Sequence, residues 1–408
     1  MHVCVVGAGI VGLATAYTLE RAGHQVTVVD RGPPGEGASG GNGAQLSYAY
    51  VQPLAEPSVW AQLPRLLFSA QSPLTLRLQR DPRQWRWMVE FMRACRRSVA
   101  DETTGQLLAL AAESRIGFER MRRDLSPACD YSASGKLVLY RDRSALDAAA
   151  RQVLLQRSLG SVQRVVTAAE CAELEPALTG YAAHIAGAVY TPGECAADCL
   201  KVCQALSEGL RSRGVELLYH GEVSAWRVGR GRVTAVTTAF GEINADCFVV
   251  AAGAASVRMG RALGVRLPVY PLKGYSTTLD LGECAGTVPT ISVTDSAAKV
   301  VFAPLGRRLR VAGMAELVGE DLRIDPRRIR QLRQTTAAVF PQLGALRESG
   351  SWAGLRPATP TGRPIVGRLP RAPENVFFNT GHGALGFTLA FGTAARLLQA
   401  IEHGAAGR

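Results

Sequence analysis

Lysine is nearly missing from this chain. It occurs only at Lys136, Lys201, Lys273 and Lys299, so the 46 basic residues that outweigh 34 acidic ones are almost all arginine. The resulting net charge of +12 is spread along the chain rather than gathered into a tail. That distribution sets overall composition first as its source and attraction to an anionic membrane second, and no nucleic-acid partner is expected. The nine cysteines show no paired spacing, which argues against a disulfide framework and for reduced thiols. Cys195, Cys199 and Cys203, at four-residue steps, would line one helix face. Small buried packing residues are the preferred reading there, and no metal site is expected. No apolar run approaches the roughly 20 residues of a membrane-spanning helix. No secretory leader is expected, because Val3–Val6 runs straight into the glycine loop with no basic region or cleavage site. The expected location is therefore the cytoplasm, free or peripheral on the cytoplasmic face of the inner membrane.

What is present is the composition of a folded enzyme, 47% hydrophobic and 20% charged over 408 residues, enough for two intertwined domains. The chain opens with a short apolar run, His2 to Val6. Gly7-Ala-Gly9-Ile10-Val11-Gly12 follows, and then helical periodicity to Arg21. The three glycines serve different ends, since Gly7 makes the turn, Gly9 lets the backbone approach a pyrophosphate, and Gly12 lets the helix pack on the sheet. The helix N-terminus offers N–H groups and partial positive charge to phosphates. A second strand, Gln25 to Val29, ends at Asp30-Arg31, where an acid can hold ribose hydroxyls. This pattern specifies an ADP moiety but leaves NAD and FAD both open.

Ser39-Gly-Gly-Asn42-Gly43-Ala44-Gln45 is a small-residue loop suited to close contact with a cofactor, or equally a linker. Residues 60 to 97 interleave Trp60, Leu63, Leu66, Leu67, Phe68, Trp85, Trp87, Met88, Phe91 and Met92 with Arg65, Arg77, Arg80, Arg83, Arg86, Arg93, Arg96 and Arg97. Amphipathic helices of this kind could lie on an anionic bilayer, although a pair of core-facing helices is preferred. Val165 to Leu174 reads as a helix, and Val223 is placed to offer its backbone to a nucleotide base. Phe248 to Gly253 is an apolar strand opening at Ala252-Gly253 onto a small-residue turn. Strands are expected over Val269–Leu279, Thr287–Val293, Lys299–Ala303 and Leu309–Met314, then a helix over Pro326–Val339.

Near the C-terminus, Trp352-Ala-Gly354-Leu-Arg356-Pro through Gly367 places one arginine in a turn braced by glycine and proline. A guanidinium so held suits bidentate carboxylate binding. Asn375 to Thr380 then reads as a strand, Gly381-His382-Gly383-Ala-Leu385-Gly386 as a second glycine loop, and the remainder as a helix. Two glycine loops at opposite ends favour FAD over NAD, because the first can hold ADP while the last aims N–H groups at a flavin ring.

These segments, with Val269-Tyr-Pro-Leu-Lys273-Gly-Tyr275-Ser276 and Arg310 to Glu316, resemble the D-amino-acid oxidase family of flavoproteins, in particular its bacterial D-amino-acid dehydrogenase branch. Gly40, Gly41 and Gly43 depart from that pattern, which carries alanines as well as glycine there, and so does Tyr48 just before the matched Tyr50. The resemblance implies an α/β fold in which a Rossmann-like FAD-binding domain is interleaved with an α+β substrate domain on an antiparallel or mixed sheet. The FAD-binding part would comprise 1–58, 150–182, 196–260 and 348–408, and the substrate part 59–149, 183–195 and 261–347. It also implies that Arg356 binds the substrate carboxylate, that His382 and the amides beside it support the flavin, and that Lys273, Tyr275 and Tyr50 lie near the substrate or the ring. FAD would be noncovalent, since no cysteine occurs from Gly354 to Pro360. The implied reaction is oxidative deamination of D-amino acids to 2-oxo acids and ammonia by hydride transfer from Cα to flavin N5. Electrons would pass to a quinone or another non-oxygen acceptor. An imino-acid or hydroxyproline dehydrogenase, a glycine-type amine oxidase on the same fold, and an FAD-containing assembly subunit are the alternatives.

Overall fold

The apolar run before the first glycine loop forms the strand His2–Val6, buried from Val3 onward. Its residues are apolar on both faces, the mark of a strand covered from two sides. In the computed structural model, which describes all residues except 52, 58, 61–73, 158, 159, 283, 285, 407 and 408, this strand lies inside a six-stranded sheet. Gln25–Val29 and then Glu216–Leu218 add in parallel on one side. Cys247–Val250 and Val376–Thr380 add in parallel on the other, edged by antiparallel Ile365–Gly367. Helices Ile10–Arg21, Cys199–Ser212 and Gly386–Ala406 cover one face. A three-stranded sheet, Ala225–Gly229 with Arg232–Thr238 and Gly241–Asn244, and the helix Ser256–Ala262 cover the other.

The second sheet is mixed and has nine described strands. Its order from the edge is Glu348–Ala358, Tyr270–Asp280, Arg308–Leu317, Val300–Leu305, Ser292–Asp295, Lys136–Tyr140, Gly187–Thr191 and Arg164–Val166, with Leu74–Leu76 beside Arg308–Leu317. Its rear face packs on the helix Pro326–Val339 through Leu332, Val339, Phe302 and Val311. Its front face carries the loop that follows Ser39. Strands Arg164–Val166 and Glu348–Ala358 hydrogen-bond in this sheet, whereas the sequence division groups both with the nucleotide-binding segments.

Several local expectations change. Thr167 caps a helix that starts at Ala168, with a reciprocal bond to Glu170, so the residues before it are free to form a strand. Cys195 sits in the two-residue strand Cys195–Ala196, because Asp198 caps the helix that begins at Cys199. The three cysteines therefore do not share a helix face. Arg356 lies not in a turn but in the eleven-residue strand Glu348–Ala358. That strand is an edge, where the missing N–H of Pro357 costs no ladder bond. The strand expected from Thr287 begins at Ser292.

Within the arginine-rich segment, Leu63, Arg65, Leu66, Leu67 and Phe68 lie outside the described residues, and Pro82–Ala94 is a helix. One described stretch, Gly383–His403, is long and apolar enough to cross a membrane by length and composition, but 56% of it is buried. It packs against Ile10–Arg21 and Arg97–Leu125 as a core helix.

Candidate active site between the two sheets

The glycine loop after His2–Val6 is a cradle that side chains would fill. A Cβ on Gly7, whose φ is +121°, would lie 2.4 Å from the Ala251 carbonyl oxygen, and one on Gly12 would lie 1.8 Å from that of Gly7. The helix starting at Ile10 has Gly9 as N-cap with no capping side chain and no acid in its first turn. Ser39 Oγ takes the Ile10 N–H at 3.0 Å, which ties the second loop to the first. Asp30 accepts the N–H groups of Ala8 at 2.6 Å and Gly32 at 2.9 Å. It braces the loop, and each carboxylate oxygen keeps a lone pair for a ribose hydroxyl. Val11 is half-buried beside Gly9, Arg31 is exposed, and Val223 is half-buried at the edge of the core behind the sheet. Ala252 and Gly253, half-buried, follow the strand Cys247–Val250 beside Gly7.

The loop after Ser39 crosses the front of the second sheet and is fastened to it. Ser276 Oγ donates to the Gly41 carbonyl at 2.6 Å, and Arg310 donates to that of Asn42 at 3.0 Å. The Trp352 ring covers both Gly41 and Gly354, each of which would clash with it if it carried a Cβ. Gly43 rests on Val301 and Ala312. The Asn42 side chain accepts the Ala44 N–H and holds Ala44 at φ +58°. Gln45 Nε2 is buried without a partner, a donor aimed where a cofactor acceptor would satisfy it. In the linear sequence Ser276, Arg310 and Trp352 are members of longer segments with nothing to set them apart. Their role appears once strand alternation puts them on one face.

At the far loop, Gly381 and Gly383 take φ of +84° and +55°, and a Cβ on Gly381 would strike Thr359. Leu385 and Gly386 are half-buried where the last helix starts. The His382 ring turns away from the front of the sheet to meet Thr393 Oγ1 at 3.0 Å, while its backbone bridges to Ala358. Burial drives its pKa down to about 3, so the ring is neutral and carries no charge into the site.

Arg356 stands on the front face opposite Leu272 and leans over Gly274. Its hydrogen bond within the described protein goes from Nη1 to the Met314 carbonyl at 2.7 Å, and no described carboxylate pairs with it. Burial lowers its pKa to about 10, which leaves it charged at neutral pH. A half-buried guanidinium whose partner is a carbonyl and not a carboxylate favours an anionic ligand. Trp87, Tyr270, Leu272 and Ala358 form an apolar wall beside it, fixed by a Trp87 Nε1 bond to the Ala358 carbonyl at 2.8 Å.

Lys273 and Tyr275 are not brought to Arg356. In the strand Tyr270–Asp280 they alternate with Gly274 and Ser276, so they face the rear. There Tyr275 donates to Glu316 at 2.9 Å, Lys273 donates to the Arg323 carbonyl, and both line a cleft of about 370 Å³ with Arg328 and Asp321. Tyr50 is half-buried at the front, with Lys136 Nζ 4.3 Å from its ring centroid. Lys136 donates to Ser47 at 2.9 Å, and burial drops its pKa to about 8. Glu194, fully buried, accepts the Ala49 N–H at 2.7 Å. A lone lysine and a lone glutamate form no pattern by which sequence could single them out.

Comparisons with known proteins identify the family to which the chain belongs. A family model described as FAD dependent oxidoreductase matches residues 2–400. The chain is 48% identical over 415 residues to a D-amino acid dehydrogenase 2 of Ralstonia nicotianae, covering 99% of this chain and 97% of that one. It is 44% identical over 403 residues to a protein of the same name from Pseudomonas aeruginosa, covering 98% and 94%. Among solved structures it is similar in fold to glycine oxidase from Geobacillus kaustophilus, with a TM-score of 0.77 and 23% identity over 98% of this chain and 94% of that one. The cradle residues fit FAD, the cofactor of this family.

Proposed function

The chain belongs to the DAO family of FAD-dependent oxidoreductases, and from that premise we propose that it oxidises D-amino acids to 2-oxo acids and ammonia. The observation that carries this reading is Arg356, a half-buried guanidinium with no carboxylate of its own, on the sheet face that meets the cofactor loops. When bound, FAD supplies the two-electron acceptor, held noncovalently by the loops at Gly7, Ser39 and Gly381. Arg356 takes the substrate carboxylate, and that anchor fixes where the α-carbon stands. Trp87, Tyr270 and Leu272 keep water from the same side. The described hydrogen-bond partner of Arg356 is the Met314 carbonyl and not a titratable side chain, so on this reading the chain orients the amine rather than deprotonating it through a dedicated base. The imino acid released is hydrolysed by water. The test is anaerobic titration of the holoenzyme with D-alanine, L-alanine, glycine and D-proline. Bleaching of the flavin absorbance by the D-amino acids supports the reading, and bleaching by L-alanine or glycine alone ends it.

For the electron acceptor we propose a membrane quinone. The helix Pro82–Ala94 presents Trp87 to the site on one side. On the other, Trp85, Met88, Val89 and Met92, with Trp60, Arg93 and Arg96, surround an open cleft of about 570 Å³. Apolar side chains ringed by arginines suit the surface of an anionic bilayer. Flotation with anionic vesicles, lost at high salt, is the expected result. Failure to float at low salt removes the membrane role without touching the substrate assignment.

A further inference from the structure

The Arg356 guanidinium is held from two sides, and neither hold is a charge. Gly274 lies beneath it: a Cβ there would sit 2.2 Å from Nη2 and 2.4 Å from Cζ. The other hold is the Met314 carbonyl, 2.7 Å from Nη1. Met314 has φ +63°, the left-handed conformation that glycine adopts freely and that L residues other than asparagine and aspartate avoid. It sits in a bulge, for Tyr275 pairs with Gly313 and Lys273 with Glu316, so three steps along one strand face two on its partner. A bulge re-aims the groups within it. In a regular strand the Met314 carbonyl would point along the sheet to a neighbouring strand. Here it reaches the guanidinium in front, while the Met314 side chain, 3% exposed, is anchored in the rear core with Leu332 and Val300.

We propose that Met314 is a positioning residue for substrate binding. Its left-handed backbone aims one carbonyl at Arg356 Nη1 and, with Gly274 as the floor, sets the direction in which the remaining guanidinium N–H groups meet the substrate carboxylate. This role rests on Arg356 being the carboxylate site. It explains why a buried methionine occupies a position whose backbone would suit glycine: the side chain locks the bulge from behind, and the carbonyl works in front.

The test compares holoenzyme variants Met314→Val, Met314→Asn and Gly274→Ala, with Arg356→Ala as reference. KM and kcat are measured for D-alanine, the Kd of propionate by perturbation of the flavin absorbance, and Tm for each. Valine resists the left-handed conformation and asparagine accepts it, while both lose the rear packing. Met314→Val should raise KM and the propionate Kd about tenfold with kcat changed less than about threefold, the signature of lost ground-state binding. Met314→Asn should lower Tm yet leave KM within about threefold. Gly274→Ala should repeat the valine signature by displacing the guanidinium from the other side. If Met314→Val does not fold, Met314→Ala against Met314→Asn makes the same contrast. Shifts in KM that merely follow Tm in both variants, or an unchanged propionate Kd in the valine variant, overturn the role. If Arg356→Ala leaves KM unchanged, the carboxylate reading itself falls. If it raises KM while Met314→Val does not, only the positioning role falls.

Discussion

The two faces of the strand Tyr270–Asp280 carry the same kinds of residue to opposite ends. On the rear, Tyr275, Glu316 and Arg328 satisfy one another, with an Arg328 Nε to Glu316 ion pair at 2.7 Å. On the front, Arg356 has a carbonyl and a glycine but no anion. A charge closed within its own network contributes to stability, whereas a charge left open is available to a ligand. The family resemblance ranks Lys273 and Tyr275 with Arg356 as one substrate cluster. Strand alternation divides them.

The largest effect should come from emptying the front. Arg356→Ala is expected to raise KM for D-amino acids by about 10²–10³, equivalent to ~3–4 kcal/mol, while FAD affinity changes far less. Steady-state kinetics beside flavin retention on gel filtration check both halves. Comparable loss of FAD would mean that Arg356 supports the cofactor instead. Next comes the rear. Glu316→Ala removes the acceptor of the Tyr275 hydroxyl and one partner of Arg328, which keeps its bonds to Gln331 and Thr75, and should cost about 1–2 kcal/mol of stability, read as a fall in Tm, with KM near the wild-type value. A raised KM at unchanged Tm would erase the distinction between the faces.

A third prediction sharpens the front face by pH. Lys136 is buried against Tyr50 and Ser47, and its pKa is about 8 in the folded protein, against about 10.4 unfolded. Between those values the unfolded chain binds more protons than the folded one, so folding stability rises with pH across that window. Below about pH 8 the ammonium is charged in both states and its full burial penalty stands. Lys136→Met lifts that penalty but also loses the Ser47 bond and the attraction to buried Glu194, so any gain in Tm over wild type should be largest near pH 7 and shrink as pH approaches 10. A gain independent of pH would show that apolar packing, not charge, is responsible.

Much of this arrangement is legible in the sequence, because some features are local. The loop of Gly7, Gly9 and Gly12, its helix and Asp30 occupy thirty consecutive residues, and the structure keeps them together. The final loop at Gly381–Gly386 and the helix Pro326–Val339 are equally local and lie where the pattern puts them. What a sequence does not display is pairing. That Arg356 is a strand residue depends on Glu348–Ala358 being a sheet edge, where Gly354 and Pro357 are tolerated. That Met314 faces two ways depends on a bulge, which leaves no mark in composition. The closeness of Lys136 to Tyr50 joins segments 86 residues apart, and neither residue announces the other.

The smallest effect is the one that decides between resemblance and geometry. Lys273→Met and Tyr275→Phe remove the two residues that similarity places beside substrate, yet both side chains lie behind the sheet, and the backbone between them is what touches Arg356. Each substitution deletes one hydrogen bond at the border of an open cleft and should cost about 1 kcal/mol of stability. Substrate does not meet either side chain, so KM and kcat for D-alanine should each move by less than about threefold. Kinetics of the two variants, taken beside Arg356→Ala, give the contrast directly. A tenfold or greater rise in KM for Tyr275→Phe, with Tm held, would return that residue to the substrate site and require the strand to present its other face when substrate is bound.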